Sequence, residues 1–306
     1  MPTTARPPLW RVSLVLAVGI LAVSTAALLI RLAIAAADQH GVGFSLFLAA
    51  SRLTTAALLL LPSWAQFRGQ SFHRLALAYS AAAGIFLAVH FAAWITSLSY
   101  TSVAASTALV TTNPVWVALL SWVWFKEKPS ALSITGIAIA LLGSILISLS
   151  GSAPTAVGTA PLLGNGLALL GSWAVSFYFL LGREAQRRGL TIGRHAVLTY
   201  TVAALVLLPL PLLFGVDYRG YPAPVYLYIL LMALFPQVIG HTSLNWAVRW
   251  VSPTLVTLTI LAEPIGSSVL ALLFFQENPG TRVWLGAAVI LLGVAIAAWG
   301  TRSTTL

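Results

Sequence analysis

The chain has 306 residues, 59% hydrophobic and only 7% charged, with a formal net charge of +10 and no cysteine. A water-soluble domain carries roughly a quarter charged residues, so this composition excludes a globular fold in water and makes lipid the solvent for most of the chain. The missing cysteines exclude disulfides and thiolate metal sites, and the basic residues sit in short connections beside apolar runs, not in a nucleic-acid-binding motif.

Ten apolar segments follow in chain order. The first, near Leu9–Ala37, contains an Ala-x-Ala pattern at Ala35 and Ala37. It exceeds the signal-peptide core of about 7–15 residues and reads as a retained helix, with Arg31 close enough to its outer end to snorkel. The others run near Phe44–Trp64, Leu75–Leu98, Val103–Phe125, Ala131–Leu149, Leu162–Leu181, His195–Phe214, Pro224–Ala247, Pro253–Phe275 and Val283–Trp299. The breaks carry charge or turn chemistry, as at Lys126-Glu127-Lys128-Pro129 and Asp217-Tyr218-Arg219-Gly220. Ten spans place twelve Lys and Arg residues on one side and only Arg219 and Arg282 on the other, with Arg31 and Arg52 inside segments. This asymmetry predicts cytoplasmic termini in a multi-pass protein of the cell (inner) membrane.

The uncharged stretch Ser150–Pro161 divides the chain into halves, 1–150 and 151–306. A shift of 150 residues aligns them. Pro114, Leu120, Phe125, Glu127, Pro129, Gly136, Ala138, Leu141, Leu142 and Gly143 meet identical residues, ten matches in thirty ungapped positions. Five helices per copy is an odd number, so the second copy must enter the membrane from the opposite side. Inverted repeats of this kind belong to secondary transporters, whose substrate site lies between the halves. The predicted fold is therefore an all-α membrane protein of ten transmembrane helices in two inverted five-helix repeats.

The pattern Asn113-Pro114-x12-Glu127-x-Pro129-x6-Gly136-x6-Gly143 and its copy from Glu263-Pro264 to Gly293 resemble the EamA module of the drug/metabolite transporter superfamily. The resemblance covers nearly the whole chain and implies a central cavity lined by helices 1, 3, 4, 6, 8 and 9. Within the superfamily the chain is most similar to amino-acid exporters of the YddG type.

Polar groups at bilayer depth are the candidate site, because burying them without a role is costly. His90 and Trp94 lie four apart on helix 3, and Gln237, His241 and Asn245 lie four apart on helix 8, its repeat counterpart. Each set shares a helix face. Such stripes read either as cavity walls binding a small zwitterion or as ordinary interhelical hydrogen bonding. Trp173 and Tyr178 are mid-span aromatic candidates. Glu263 is a candidate proton carrier or an organiser of the helix at Pro264, and Asn113 stands at its counterpart position. Pro114, Pro236 and Pro264 read as mid-helix kinks with a hinge or gating role. Arg52 reads as structural or as an attractor for a substrate carboxylate, the first being favoured because helix 2 lies outside the implied cavity. A histidine pair at His90 and His241 without cysteine makes a poor metal site.

The expected function is alternating-access export of small neutral amino acids, especially aromatic or aliphatic ones. The alternative is export of another metabolite or a lipophilic drug. A channel or membrane enzyme fits less well, because no catalytic cluster or nucleotide motif is visible. No cofactor is expected. The expected partners are a small-molecule substrate and membrane lipid, with proton coupling left open, and the glycine pairs suit either a monomer or a homodimer.

Overall fold

In the computed structural model of the protein, residues 7–67, 73–101, 106, 109–150, 160–276 and 280–302 are described. Their regular structure is entirely helical. The helices are α1 (Leu9–Ala37), α2 (Val42–Leu59), α3 (Arg74–Ser97), α4 (Asn113–Phe125), α5 (Ala131–Ser150) and α6 (Pro161–Arg187), followed by α7 (Ile192–Leu213), α8 (Ala223–Ala247), α9 (Pro253–Ile260 and Glu263–Phe275) and α10 (Gly280–Arg302). Eight of these are long and apolar enough to cross a membrane. The stretches Asn113–Phe125 and Ala131–Leu146 are shorter apolar helices. The expected linker core, Glu277, Pro279 and the first residues of the fourth segment lie outside the described residues.

Apolar side chains dominate the outer face. Leu162 is 89% exposed and Leu213 76%. A surface of this kind is stable only when hydrocarbon covers it, which makes this a multi-pass membrane protein. The segment ends follow local chemistry. Gly41, at φ 101°, turns the chain between α1 and α2 in a conformation that a side chain would strain. Pro62 follows α2, and the chain continues as a short 3₁₀ turn over Leu61–Phe67.

The prolines correct one expectation. Pro114 and Pro264 do not kink continuous helices. The chain leaves helical geometry at Thr111-Thr112 and again at Leu261-Ala262, and each proline occupies the first turn of the helix that restarts there. Proline lacks a backbone donor and clashes with the preceding turn, whereas in a first turn neither fault matters. Serines from neighbouring helices reach both breaks. Ser176 Oγ, which donates to the Ser172 carbonyl at 2.8 Å, lies 3.4 Å from the Asn113 carbonyl oxygen, and Ser24 Oγ, which donates to the Ile20 carbonyl at 2.8 Å, lies 3.3 Å from that of Glu263. Pro236 is accommodated differently, inside a π-helical stretch of α8 spanning Ala233–His241. Such widened turns absorb a missing donor and are frequent at functional sites.

The packing repeats itself. α3 packs along α6 as α8 packs along α1, α3 meets α7 as α8 meets α2, and α4 meets α6 as α9 meets α1. α2 packs on α7, α4 on α9 and α5 on α10. The last contact is made through glycine. A Cβ on Gly136 would come within 2.5 Å of the Gly293 carbonyl, and one on Gly143 within 2.7 Å of the Gly286 carbonyl. Position 136 meets 293 while 143 meets 286, so α5 and α10 run antiparallel.

Candidate functional site

The buried polar residues converge where α2, α3, α6, α7 and α8 meet. Gly171 on α6 lets α3 approach closely, since a Cβ there would lie 3.3 Å from that of Trp94. His90 Nδ1 takes advantage of this and donates to the Gly171 carbonyl at 2.9 Å. A carbonyl only accepts, so Nδ1 carries the proton and Nε2 is left as an acceptor. The His90 ring stacks on Trp94 at 5.9 Å, and the His241 ring lies 6.5 Å from His90, 5.4 Å from Phe91 and 5.9 Å from Tyr178. The stripes on α3 and α8 are thus brought face to face.

Asn245 is the centre of a second, closed network. Its Nδ2 donates to the Tyr178 hydroxyl and, at 3.1 Å, to the His241 carbonyl. Its Oδ1 accepts from His195 Nε2 at 3.3 Å. That fixes the tautomer of His195, whose Nδ1 then accepts from Ser80 at 2.9 Å. Gly182 leaves room for this arrangement, because a Cβ there would lie 2.6 Å from Asn245 Oδ1. Tyr178 and Asn245 therefore direct their polar atoms at each other and at the protein.

Other predicted residues keep polar atoms without a partner. Trp94 Nε1, Asn113 Oδ1, Gln237 Nε2 and His241 Nδ1 are buried and make no hydrogen bond among the described residues. Asn113 sits at the restart of α4 on the α6 side of the molecule, where Thr112 Oγ1 is 3.0 Å from Ser172 Oγ. Glu263 is half-buried at the matching restart of α9, beside α1, and its carboxylate is in no ion pair among the described residues. Trp173 stands apart from this cluster. It is 39% exposed and packs on Phe86 and Phe177.

Arg52, read from the sequence as structural or as an attractor for a substrate carboxylate, lies in this same cluster. It is only 1% exposed, its Nε donates to Gln237 Oε1 at 3.0 Å, and its guanidinium lies 4.3 Å from the centre of the Phe91 ring. Its depth in an otherwise apolar segment was the available signal. Its partner, distant by 185 residues, was not visible. Tyr200 closes this side, donating to the Gln237 carbonyl at 3.1 Å. Among the described residues no group of three or more His, Asp or Glu side chains could hold a metal ion.

A cavity of about 1360 Å³ opens among basic and apolar side chains. Lys128, Arg183, Arg187 and Arg249 stand at its mouth, and Leu16, Ala118 and Thr259 line deeper levels. Arg183 holds Glu127 in a bidentate pair, with N–O distances of 2.9 and 2.8 Å, tying the α4–α5 connection to the end of α6.

The model of the EamA-like transporter family matches twice, over residues 10–149 and 162–299. The chain belongs to the EamA-like transporter family. The two matched ranges fall in the two halves of the chain that share the repeated proline and glycine positions. Similar curated proteins are the uncharacterized transporters YdfC and YxxF of Bacillus subtilis. YdfC is 30% identical over 45% of this chain and 43% of its own length, and YxxF is 23% identical over 76% and 73%. A probable terminal-alkyne amino-acid exporter of Streptantibioticus cattleyicolor is 27% identical over 63% of this chain and 64% of its own length. A crystal structure 18% identical to this EamA-like chain superposes with a TM-score of 0.76, covering 96% of this chain and 99% of the other. That likeness bears on the fold alone.

Proposed function

We propose that this EamA-like protein is a secondary transporter that exports small neutral amino acids, especially aromatic or aliphatic ones, by alternating access. The observation that carries this reading is the buried cluster of His90, Trp94, Gln237 and His241, which sits between the two halves with polar atoms unpartnered. Buried groups of this kind are costly to leave unsatisfied, and a passing zwitterion supplies what they lack. The similarity to an amino-acid exporter supports the substrate class.

In this reading the chain has ten spans in two inverted repeats. The antiparallel meeting of α5 and α10 at repeat-equivalent glycines supports the inversion, because neighbours related by a 150-residue shift point in opposite directions. The wide cavity is the cytoplasmic half of the path, and both termini face the cytoplasm of a cell-membrane protein, in keeping with the Lys and Arg distribution. The breaks before Pro114 and Pro264, with the π turn at Pro236, are the hinges on which the halves rock. Glu263 is the group that carries a coupled proton.

The test is counterflow of labelled amino acids in proteoliposomes of the purified protein. Saturable uptake accelerated by internal unlabelled substrate is the expected result. Absence of counterflow for every neutral amino acid would overturn the substrate class. Flux without saturation or exchange would identify a channel instead.

A further inference from the structure

Every ion pair found among the described residues lies around Glu127 and Glu184, at the ends of helices. Arg52 lies outside this group, fully buried, with no carboxylate bonded to it among the described residues. Its neighbours are the neutral Gln237, the face of Phe91 and the tyrosines Tyr178 and Tyr200, and Glu263 is within electrostatic reach without forming a pair. A buried guanidinium is costly to keep unless a negative charge and further hydrogen bonds accompany it.

The orphaned atoms around it are mostly of one kind. Arg52 Nη1 is buried and unpartnered. Gln237 must present Oε1 to Arg52, because a guanidinium cannot accept, so its amide nitrogen is the end left over, and that nitrogen is also unpartnered. Two N–H donors, on two side chains joined by a 3.0 Å bond, thus lack acceptors among the described residues. His241 Nδ1, on the next turn of α8, is a third orphan.

We propose that Arg52 and Gln237 form a binding site for the carboxylate group of a ligand that carries a single one. A carboxylate offers only acceptors, which is what a pair of neighbouring unpartnered donors, one of them charged, lacks. A single cation beside neutral donors balances one negative charge, which disfavours phosphate dianions and dicarboxylates. The proposal rests on the reading of this cluster as the substrate site. It adds that the ligand is held by its acid end, whereas a lipophilic cationic drug would be repelled.

The experiment measures binding by thermal unfolding of the detergent-purified full chain in low-salt buffer, independently of transport. The probes are L-phenylalanine, 3-phenylpropanoate, L-phenylalaninamide and sodium chloride. The expected result is stabilisation by the two carboxylates, with the amide weaker by roughly 30-fold or more. Gln237→Glu places a carboxylate on Arg52 from within. That variant is expected to unfold at a temperature at least as high as the parent and to lose the response to both carboxylates. Equal stabilisation by acid and amide, or an undiminished carboxylate response in Gln237→Glu, would overturn the proposal. So would the absence of stabilisation by either carboxylate, whatever the liposomes report. Stabilisation by chloride equal to that by the carboxylates would reduce the site to a halide site and overturn its assignment to carboxylate. Binding of 3-phenylpropanoate with no binding of phenylalanine would keep the carboxylate site and remove the amino-acid reading.

Discussion

His241 and Asn245 occupy one face of one helix, four residues apart, yet the fold uses them in opposite ways. Asn245 bonds to Tyr178, His195 and the His241 carbonyl, so it belongs to the protein's internal structure. His241 keeps Nδ1 unpartnered, as Trp94 keeps Nε1, which leaves both available to a ligand. Asn245→Ala is therefore expected to destabilise the purified protein by about 1–3 kcal/mol, the cost of stranding buried partners, read as a lower midpoint of thermal unfolding. His241→Ala and Trp94→Ala are expected to reduce counterflow about tenfold or more, with normal membrane insertion and a nearly unchanged midpoint. Unchanged kinetics in both would remove them from the site. Glu263→Gln separates coupling from binding. Stimulation by a pH gradient should disappear while exchange at equal pH persists, and a variant that still responds to the gradient would exclude Glu263 as the proton carrier.

At the scale of helices, glycine decides which elements can touch. Gly136 and Gly143 were legible as helix-packing positions from their spacing and their copies at Gly286 and Gly293, but the sequence left open whether they serve a dimer or the fold. The contacts they make are within the chain, between α5 and α10. Gly136→Leu would drive a side chain into the backbone of Gly293 and Ala297, which cannot yield. Loss of folded protein on size-exclusion chromatography is expected. Gly166→Ala has open space around its Cβ and should fold normally, even slightly more stably, because alanine suits a helix better. The prolines illustrate the opposite limit. Their positions were evident, but whether a proline kinks a helix or begins a new one depends on how neighbouring helices pack at that level. Ser24 and Ser176 belong to other helices, so the outcome was not local information.

For the whole molecule, the Lys and Arg residues around the cavity mouth all belong to the set that the sequence places on one side. Reporter fusions at either end should be active only in cytoplasmic format, and activity of a periplasm-dependent reporter at the C-terminus would overturn the orientation. The Glu127–Arg183 pair bridges α4 to α6 at that mouth and is partly exposed, so its static worth is small, about 0.2–1 kcal/mol. Glu127→Gln is accordingly expected to leave the unfolding midpoint almost unchanged while altering the exchange rate, if the mouth must close during the cycle.

The sequence by itself determined the solvent, the helical class and the polar stripes, and it suggested the duplication, because these depend on composition, on periodicity and on a constant 150-residue shift. It also placed the family motif correctly, since prolines and glycines act through backbone geometry that travels with the residue. Only the tertiary structure decided which polar side chains are satisfied internally. Asn245 and Tyr178 close on each other, Trp173 turns away, and Arg52 reaches across 185 residues to Gln237. A hydrogen bond depends on the distance between two particular atoms, and nothing local to α2 or α8 states that distance before the helices are packed.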